Sequence, residues 1–244
     1  MSGHSKWANI RAKKGKSDAA REKIFTKIGR EISVAVKAGG PDPNTNSKLY
    51  DAIQKAKSNN MPKSNIESSI AKAAGSKNSE SYENCLYEGY AAGGIAVLVE
   101  CLTDNKNRTG GEMRHLFDKY GNSMGQSGCV SYLFDRKGII TIEAKPEMSE
   151  DDMMMKALDA GADDFISDGD VFVVYTKAEE LSSVAKNLTA ANIEYMSAEI
   201  NWIPQSLTDV DPDVARKVQN LVDQLEDNDD VQNVYHNANL PEEE

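Results

Sequence analysis

Cysteine is scarce in this sequence, and long apolar runs are absent from it. The three cysteines, Cys85, Cys101 and Cys129, are odd in number and widely spaced. That pattern excludes the disulfide framework of a small secreted domain and indicates a reducing compartment. No apolar run approaches the roughly 18 residues needed to span a bilayer, and residues 1–7 lack the apolar core of a signal peptide. We therefore expect a cytoplasmic protein with no membrane partner.

The sequence also lacks the residue patterns of common enzymes. It contains no Gly-rich phosphate loop, no His-Glu-x-x-His motif and no pair of Cys-x-x-Cys motifs. Residues 209–220 begin like a calcium loop, but Val214 stands where such a loop needs Gly, and Asn220 where it needs Glu. We expect no catalytic residue, no metal site, no cofactor and no small-molecule substrate.

What the sequence does have is a separation of charge along the chain. Residues 1–77 hold 16 Lys and Arg against 6 Asp and Glu, a net charge of +10. Residues 78–244 hold 12 against 33, a net charge of −21. Because salt confines each field to about 8–10 Å, a basic N-terminal module can attract phosphates while the acidic remainder keeps the protein in solution.

The strongest candidate for a binding site is the basic arm, residues 6–16, extended by cations as far as Arg30. Nine Lys and Arg lie in the first 30 residues, with Trp7 among them. Cations at this density suit a phosphate backbone, and an aromatic ring suits stacking on a base. Two other interpretations stay open: the arm is a solvated tail, and Trp7 anchors it onto the following helices. The predicted nucleic-acid-binding residues here are Lys6, Trp7, Arg11, Lys13, Lys14, Lys16, Lys23, Lys27 and Arg30.

A second contact surface is predicted where a buried strand meets a helix, at residues 103–114. Polar side chains and free N–H groups at a helix N-terminus can hold an anion. The other interpretation is that Asp and Asn make the turn and Thr109 caps the helix, and the pattern favours neither. The candidate residues are Asn105, Asn107, Arg108 and Arg114.

Hydrophobic periodicity predicts an α+β fold. An apolar stripe between Ile24 and Val36 predicts the first of three short helices. Residues 138–203 predict the β-α-β-β-α-β order of a ferredoxin-like unit. Residues 82–134 lack a second covering helix and a last strand, and residues 205–240 supply both. The fold class is therefore an N-terminal three-helix domain followed by two ferredoxin-like α/β domains, the middle one discontinuous. The predicted domains are 1–77, 78–134 plus 205–240, and 135–204.

Local signals predict where several elements begin and end. Ser64 with Glu67, and Thr176 with Glu179, have the spacing of a capping box. Pro62 is expected in the first turn of a helix. The pattern also predicts a helix over 109–120, strands over 129–134 and 193–202, and a hairpin turn at 168–169.

Seven short motifs are spread from residue 3 to residue 237. They are GHSKWANI at 3–10, KIFTK at 23–27, NMP at 60–62, YEGY at 87–90, TDNKNRT at 103–109, YLFDRKG at 132–138 and DDVQNVYHN at 229–237. Together they resemble the YebC/PmpR family, which includes the mitochondrial translational activator of cytochrome oxidase. The chain departs from the family at 91–94, where Ala-Ala-Gly-Gly replaces the usual Gly-Pro-Gly-Gly.

The resemblance implies a three-domain protein with a helical N-terminal domain and two α/β domains. Bacterial members are described as DNA-binding transcriptional regulators, and other members as translation factors that relieve stalling at the ribosome. We accordingly expect a non-enzymatic nucleic-acid-binding regulator of gene expression, whose partner is DNA or ribosomal RNA and, in the second case, the ribosome. The alternative is an acidic protein-docking adaptor that makes no direct contact with nucleic acid.

Overall fold

The structure, a computed structural model, describes residues 18–75 and 82–240, with the side chains of 21–75 and 82–240. In these residues three helices precede two four-stranded antiparallel sheets. The elements are α1 (Asp18–Gly39), α2 (Ser47–Ser58), α3 (Lys63–Gly75), β1 (Glu83–Tyr90), β2 (Ala96–Thr103), α4 (Lys106–Tyr120), β3 (Ser123–Met124), β4 (Phe134–Glu143), α5 (Glu150–Asp159), β5 (Asp164–Asp168), β6 (Val171–Lys177), α6 (Leu181–Ala190), β7 (Ser197–Pro204), β8 (Thr208–Asp209), α7 (Pro212–Glu226), β9 (Val231–His236) and β10 (Ala238–Asn239). The α+β fold class is confirmed.

The three N-terminal helices pack around one apolar core. The stripe of α1 buries Ile28 and Ile32 against Leu49 of α2 and Ile66 of α3. Asn46 joins the first two helices, because its side chain accepts a hydrogen bond from the Leu49 N–H and donates to the Ala35 carbonyl at 2.7 Å. The first bond satisfies a free N–H at the start of α2, and the second fixes the turn to the last part of α1.

The first sheet has the strand order β3-β1-β2-β9. Alternate residues of β2 point to opposite faces. Val97 and Val99 pack against Phe117 of α4 and Leu221 of α7, so both helices cover one face. On the other face Leu98 packs with residues that lead into the second sheet, including Phe134. The result is the two-layer arrangement of a ferredoxin-like domain, reached with the β1–β2 hairpin first in the chain.

The second sheet has the order β5-β6-β4-β7 and is built entirely from β4-α5-β5-β6-α6-β7. All its pairs are antiparallel, and α5 and α6 share one core with Ile140, Ile142 and Val174. These features make it a ferredoxin-like unit, as the sequence predicts. The turn at 168–169 is confirmed, since Asp168 pairs with Val171 and Gly169 has a positive φ of 57°.

The middle domain is discontinuous. The chain leaves the first sheet after β3, completes the second sheet with residues 134–204, and returns to the first with α7 and β9. The exact domain boundaries, 1–77, 78–134 plus 205–240, and 135–204, stay a prediction. Of the described helices, in 18–75 and 82–240, none is both long and apolar enough to cross a membrane.

Several predicted element ends are wrong. Residues 129–133 do not form a strand: Ser131–Leu133 is a 3₁₀ turn leading into β4, which begins at Phe134, and the short β3 takes the edge of the first sheet. The strand expected from residue 193 begins at Ser197. The box predicted at Thr176 is absent, because that hydroxyl donates to the Lys177 carbonyl and α6 starts later. Pro62 precedes α3, and its carbonyl accepts hydrogen bonds from the N–H groups of Asn65 and Ile66.

A polar network links the two sheets, and an ion pair of the helical domain lies beside it. The Glu100 carboxylate of β2 accepts hydrogen bonds from the Trp202 indole at 2.9 Å and from the Tyr235 hydroxyl at 3.1 Å. Lys55 of the helical domain lies in the same region and forms an ion pair with Glu31 at 2.7 Å. Burial alone would lower the pKa of Lys55, but Glu31, with Glu100 and a further carboxylate nearby, raises it above its ordinary value. Lys55 therefore stays charged at this junction.

Candidate nucleic-acid interface

Six of the predicted nucleic-acid-binding residues lie outside the described residues. These are Lys6, Trp7, Arg11, Lys13, Lys14 and Lys16. Their assignment stays a prediction from the sequence.

The three predicted cations of α1 have partners inside the molecule. Lys23, Lys27 and Arg30 follow a spacing of four and three residues, which places them on one face of the helix. That face meets the turn of residues 226–230, here called the acidic turn. Lys23 forms an ion pair with Asp227, and Lys27 donates to the Glu226 carbonyl at 2.8 Å. Arg30 donates to the Asp229 carbonyl at 2.7 Å and to the Asp230 carboxylate at 2.8 Å.

These contacts correct one part of the predicted interface. Cations that are neutralised or hydrogen-bonded by a later domain are not free to bind phosphate, so we no longer count Lys23, Lys27 and Arg30 among the phosphate ligands. The partners lie about 200 residues further along the chain, a distance across which sequence pattern gives no pairing. Their shared helix face was the one available sign that they meet a single surface.

Asp230 is the centre of the contact between α1 and the acidic turn, here called the junction. Its side chain is buried, with the residue only 3% exposed. Besides the bond from Arg30, its carboxylate accepts hydrogen bonds from the Arg108 guanidinium at 2.7 Å, the Thr109 hydroxyl at 2.7 Å and the Thr103 hydroxyl at 3.1 Å. Burial alone would raise the pKa of Asp230, but the hydrogen bonds from Arg108, Thr109 and Arg30 outweigh it and hold that pKa below its ordinary value. Asp230 is therefore an ionised clamp between α1, α4 and β2.

The second predicted surface is divided by this arrangement. Asn105 is the N-cap of α4, since its side chain accepts from the Arg108 N–H at 3.1 Å. Arg108 is bound to Asp230 and also to Asp104 at 2.9 Å. Asn105 and Arg108 thus serve the fold, and of the two interpretations left open, the turn by Asp and Asn fits, except that Asn105 rather than Thr109 caps the helix, because α4 begins at Lys106. Asn107 and Arg114 remain exposed on α4.

A groove of about 500 Å³ lies beside the junction and has mixed charge. It presents three cations and four carboxylates in close proximity, so it offers an anion no net attraction. Its lining residues are Lys23, Arg30, Arg108, Glu112 and residues 227–230.

Three exposed lysines of the helical domain are not among the residues predicted from the sequence. Lys48 and Lys57 on α2 and Lys72 on α3 are exposed and form no ion pair among the described residues. Helical periodicity could have found them, since each lies away from the apolar stripe of its helix. They are the free positive groups that the described part of this domain presents.

Glu88, in the motif YEGY, has a structural role that the sequence did not reveal. Its buried carboxylate accepts hydrogen bonds from the backbone N–H groups of Gly128, Val130 and Ser131, at 2.7 to 2.8 Å. Burial would raise the pKa of Glu88, but these three N–H groups lower it. The loop that they fix presents Tyr132, which is exposed, at the surface.

No group of three or more His, Cys, Asp and Glu residues among residues 18–75 and 82–240 has an arrangement suited to a metal ion. The fold and junction define a class of protein: three domains, with a helical domain clamped by salt bridges onto a pair of ferredoxin-like α/β domains.

Comparison with known proteins assigns the chain to a family within this class. Residues 5–76 match the model of the TACO1/YebC protein N-terminal domain, and residues 82–238 match that of the TACO1/YebC second and third domain. The chain belongs to the TACO1/YebC family. The resemblance seen in the sequence motifs is thereby confirmed.

Relatives from several organisms agree with this assignment. A probable transcriptional regulatory protein of Clostridium botulinum (strain Okra / Type B1) is 57% identical over 242 residues, covering 99% of this chain and 98% of the relative. One from Acetivibrio thermocellus is 55% identical over 238 residues, covering 97% and 98%. The crystal structure of the conserved hypothetical protein Aq1575 from Aquifex aeolicus has a TM-score of 0.82 and 48% identity, and the match covers 93% of this chain and 94% of that one. The relatives' names support a regulatory role.

Proposed function

We propose that this protein is a non-enzymatic regulator of gene expression that binds nucleic acid through its basic arm. The observation that carries the proposal is the excess of 16 Lys and Arg over 6 Asp and Glu in residues 1–77, on a chain that is otherwise acidic. The names of the relatives, probable transcriptional regulatory proteins, point in the same direction.

The contacts at the acidic turn suggest a division of labour within this domain. Lys23, Lys27 and Arg30 hold α1 on the middle domain. The phosphate ligands are then Lys6, Arg11, Lys13, Lys14 and Lys16, with Trp7 available for stacking on a base. Asn107 and Arg114 on α4 form a second, weaker contact surface.

Both DNA and RNA fit an arm of this kind, and we favour structured RNA. Among the described residues of this domain, the exposed lysines without an ion pair are spread over α2 and α3 and do not line one helix suited to reading base edges in a major groove. Such cations recognise backbone and shape, which is how proteins bind folded RNA. Ribosomal RNA, and action at the ribosome, follow from this preference, whereas promoter DNA and transcription follow if duplex DNA binds more tightly.

The salt dependence of binding tests the proposal. If the five arm cations each displace one counterion from a duplex, the logarithm of the affinity falls with a slope of about −4.5 against the logarithm of salt concentration. Between 50 and 200 mM salt the affinity should then fall about 500-fold. Fluorescence anisotropy with a labelled RNA hairpin and with a labelled 24-base-pair DNA duplex measures both slopes.

A matched pair of variants locates the contact. Replacing Lys13, Lys14 and Lys16 by Gln should reduce the slope by about 2.7 and weaken binding to all sequences alike. Replacing Lys48, Lys57 and Lys72 by Gln removes the same charge from the helical domain and should change the slope less. Equal effects of the two triple variants would mean that general charge, not the arm, attracts the nucleic acid. Parent-like binding by the arm variant would overturn the proposal.

Crosslinking in cells distinguishes the regulated step. Recovery of ribosomal RNA with the full chain supports translation, and recovery of promoter DNA supports transcription. Recovery of neither, with protein partners alone, supports the adaptor alternative.

A further inference from the structure

Helix α5 of the second ferredoxin-like unit exposes an apolar face. Met154, Met155 and Leu158 are 38%, 55% and 48% exposed, whereas Met153 and Ala157 of the same helix are buried in the core. At 100° per residue the three exposed side chains fall within an arc of about 100°. Only seven large hydrophobic side chains are exposed in the described residues, 18–75 and 82–240, and three of them are these neighbours. The clustering is therefore not the scatter that a protein surface ordinarily shows.

The segment of the chain that contains this face is strongly acidic. Residues 143–170 contain ten Asp and Glu against two Lys, a net charge of −8. Asp151 and Asp152 lie in the first turn of α5, where their negative charges interact favourably with the helix dipole and stabilise the helix. Asp159 lies at the C-terminal end of the helix, where a carboxylate opposes that dipole. Helix stability accounts for the first pair and not for Asp159.

We propose that the apolar face of α5 binds a basic amphipathic helix of a protein partner. An apolar centre within a charged rim is the usual anatomy of a protein interface, and an amphipathic helix presents the matching pattern. Methionine side chains suit this role because they are flexible and polarizable, and adapt to the surface of the partner. The acidic rim selects a partner rich in Lys and Arg, since opposite charges steer association.

The same charge argues against other occupants. Nucleic acid is repelled by a surface of this sign. A second copy of this chain would bring the same carboxylates face to face, and like charges opposed across an interface cost affinity. The inference does not depend on nucleic-acid binding by the arm, which lies in another domain.

Binding of synthetic peptides to the full chain tests the proposal. The probe is a fluorescein-labelled 18-residue peptide of Leu and Lys with one apolar face, and the comparison peptide has the same composition in an order that removes that face. The parent protein should bind the amphipathic peptide at least tenfold more tightly than the scrambled one. Equal binding of the two peptides would overturn the proposal, because charge alone would then account for the interaction.

Variants of the full chain place the contact. Replacing Met154, Met155 and Leu158 by Gln keeps good helix formers at exposed positions, and should weaken binding of the amphipathic peptide at least tenfold. The control is Leu207→Gln, which alters an exposed leucine (39%) elsewhere and should leave binding unchanged. Replacing Asp151, Asp152 and Asp159 by Asn should weaken binding and reduce its salt dependence.

Two results would contradict the assignment. Parent-like affinity of the Gln variant, with a parent-like circular dichroism spectrum and urea midpoint, would show that the apolar face is not the contact. Sedimentation of the parent as a dimer that the Gln variant dissociates would show that the occupant is a second copy.

Discussion

Replacing Asp230 by Asn is the most direct test of the junction between the helical and middle domains. The substitution keeps the size of the side chain and removes its charge. The carboxylate accepts bonds from Arg30, Arg108 and two threonine hydroxyls, and it is almost completely buried. An amide retains one acceptor oxygen but turns an N–H₂ group towards donors, so at least one guanidinium loses its partner.

The expected loss of stability follows from these contacts. Breaking a buried ion pair on one side typically costs about 3–5 kcal/mol, and a hydrogen bond to a charged group contributes about 1.5–3 kcal/mol. The side chain of Arg108 is 44% exposed and can regain water, and the amide keeps one oxygen. We therefore expect the free energy of unfolding to fall by about 3 kcal/mol, towards the lower end of that range.

Urea unfolding of the full chain, followed by far-ultraviolet circular dichroism, measures the effect. With a urea dependence of about 1–3 kcal/mol per molar, the midpoint should fall by at least about 1 M. The matched control is Asp229→Asn, which removes the same charge from an exposed side chain of the same turn. Its backbone carbonyl still accepts from Arg30, so the change should stay within about 0.5 kcal/mol. Equal midpoints for the two variants would refute the clamp.

The remaining predictions use the same unfolding assay unless stated. The pKa of Asp230 is held below its ordinary 3.8, so the contribution of its carboxylate to stability is complete above that pH and is lost as pH falls through the folded-state pKa. The difference in the free energy of unfolding between the parent and Asp230→Asn should therefore shrink below about pH 4. A difference that grows at low pH would contradict this. Glu88→Gln should speed hydrogen exchange at the three backbone amides that Glu88 binds, and unchanged rates would argue against its role. Gly89→Ala should cost about 1–3 kcal/mol, since its Cβ would lie 2.6 Å from the Ser123 carbonyl oxygen; a neutral effect would contradict this. Gly111→Ala, with open space around it in α4, should stabilise the chain by about 0.5–1 kcal/mol, and destabilisation would show an unrecognised contact there.

Local chemistry explains which parts of the fold the sequence alone determined. The apolar stripe of α1 and the alternating or continuous apolar runs of the strands depend on neighbours within a few residues, so periodicity predicted their type. The β-α-β-β-α-β order of residues 138–203 and the return of the chain after residue 204 followed from element order. The family motifs and the excess of cations before residue 77 are likewise properties of the sequence.

Where several local choices were close in energy, tertiary structure decided. Both Asn105 and Thr109 can cap a helix. The Asn105 side chain caps α4 by accepting from the Arg108 N–H, whereas the Thr109 hydroxyl donates to the buried Asp230 carboxylate. Residues 129–134 are apolar enough for a strand, but Glu88 binds three N–H groups of this segment and shapes it into a turn. In each case the deciding partner lies 40 or more residues away.

The function of individual cations was also decided in three dimensions. The density of cations along the sequence predicted Lys23, Lys27 and Arg30 as phosphate ligands, because the sequence shows the charge of a residue but not its neighbours in space. Folding brings the acidic turn against that face of α1 and gives each cation a partner within the molecule. Conversely, it leaves Met155 and its neighbours on α5 uncovered, which their apolar character alone did not indicate. The charge and hydrophobicity of each side chain can be read from the sequence. Its ion-pair partners and its exposure depend on which other parts of the chain pack against it in the folded structure.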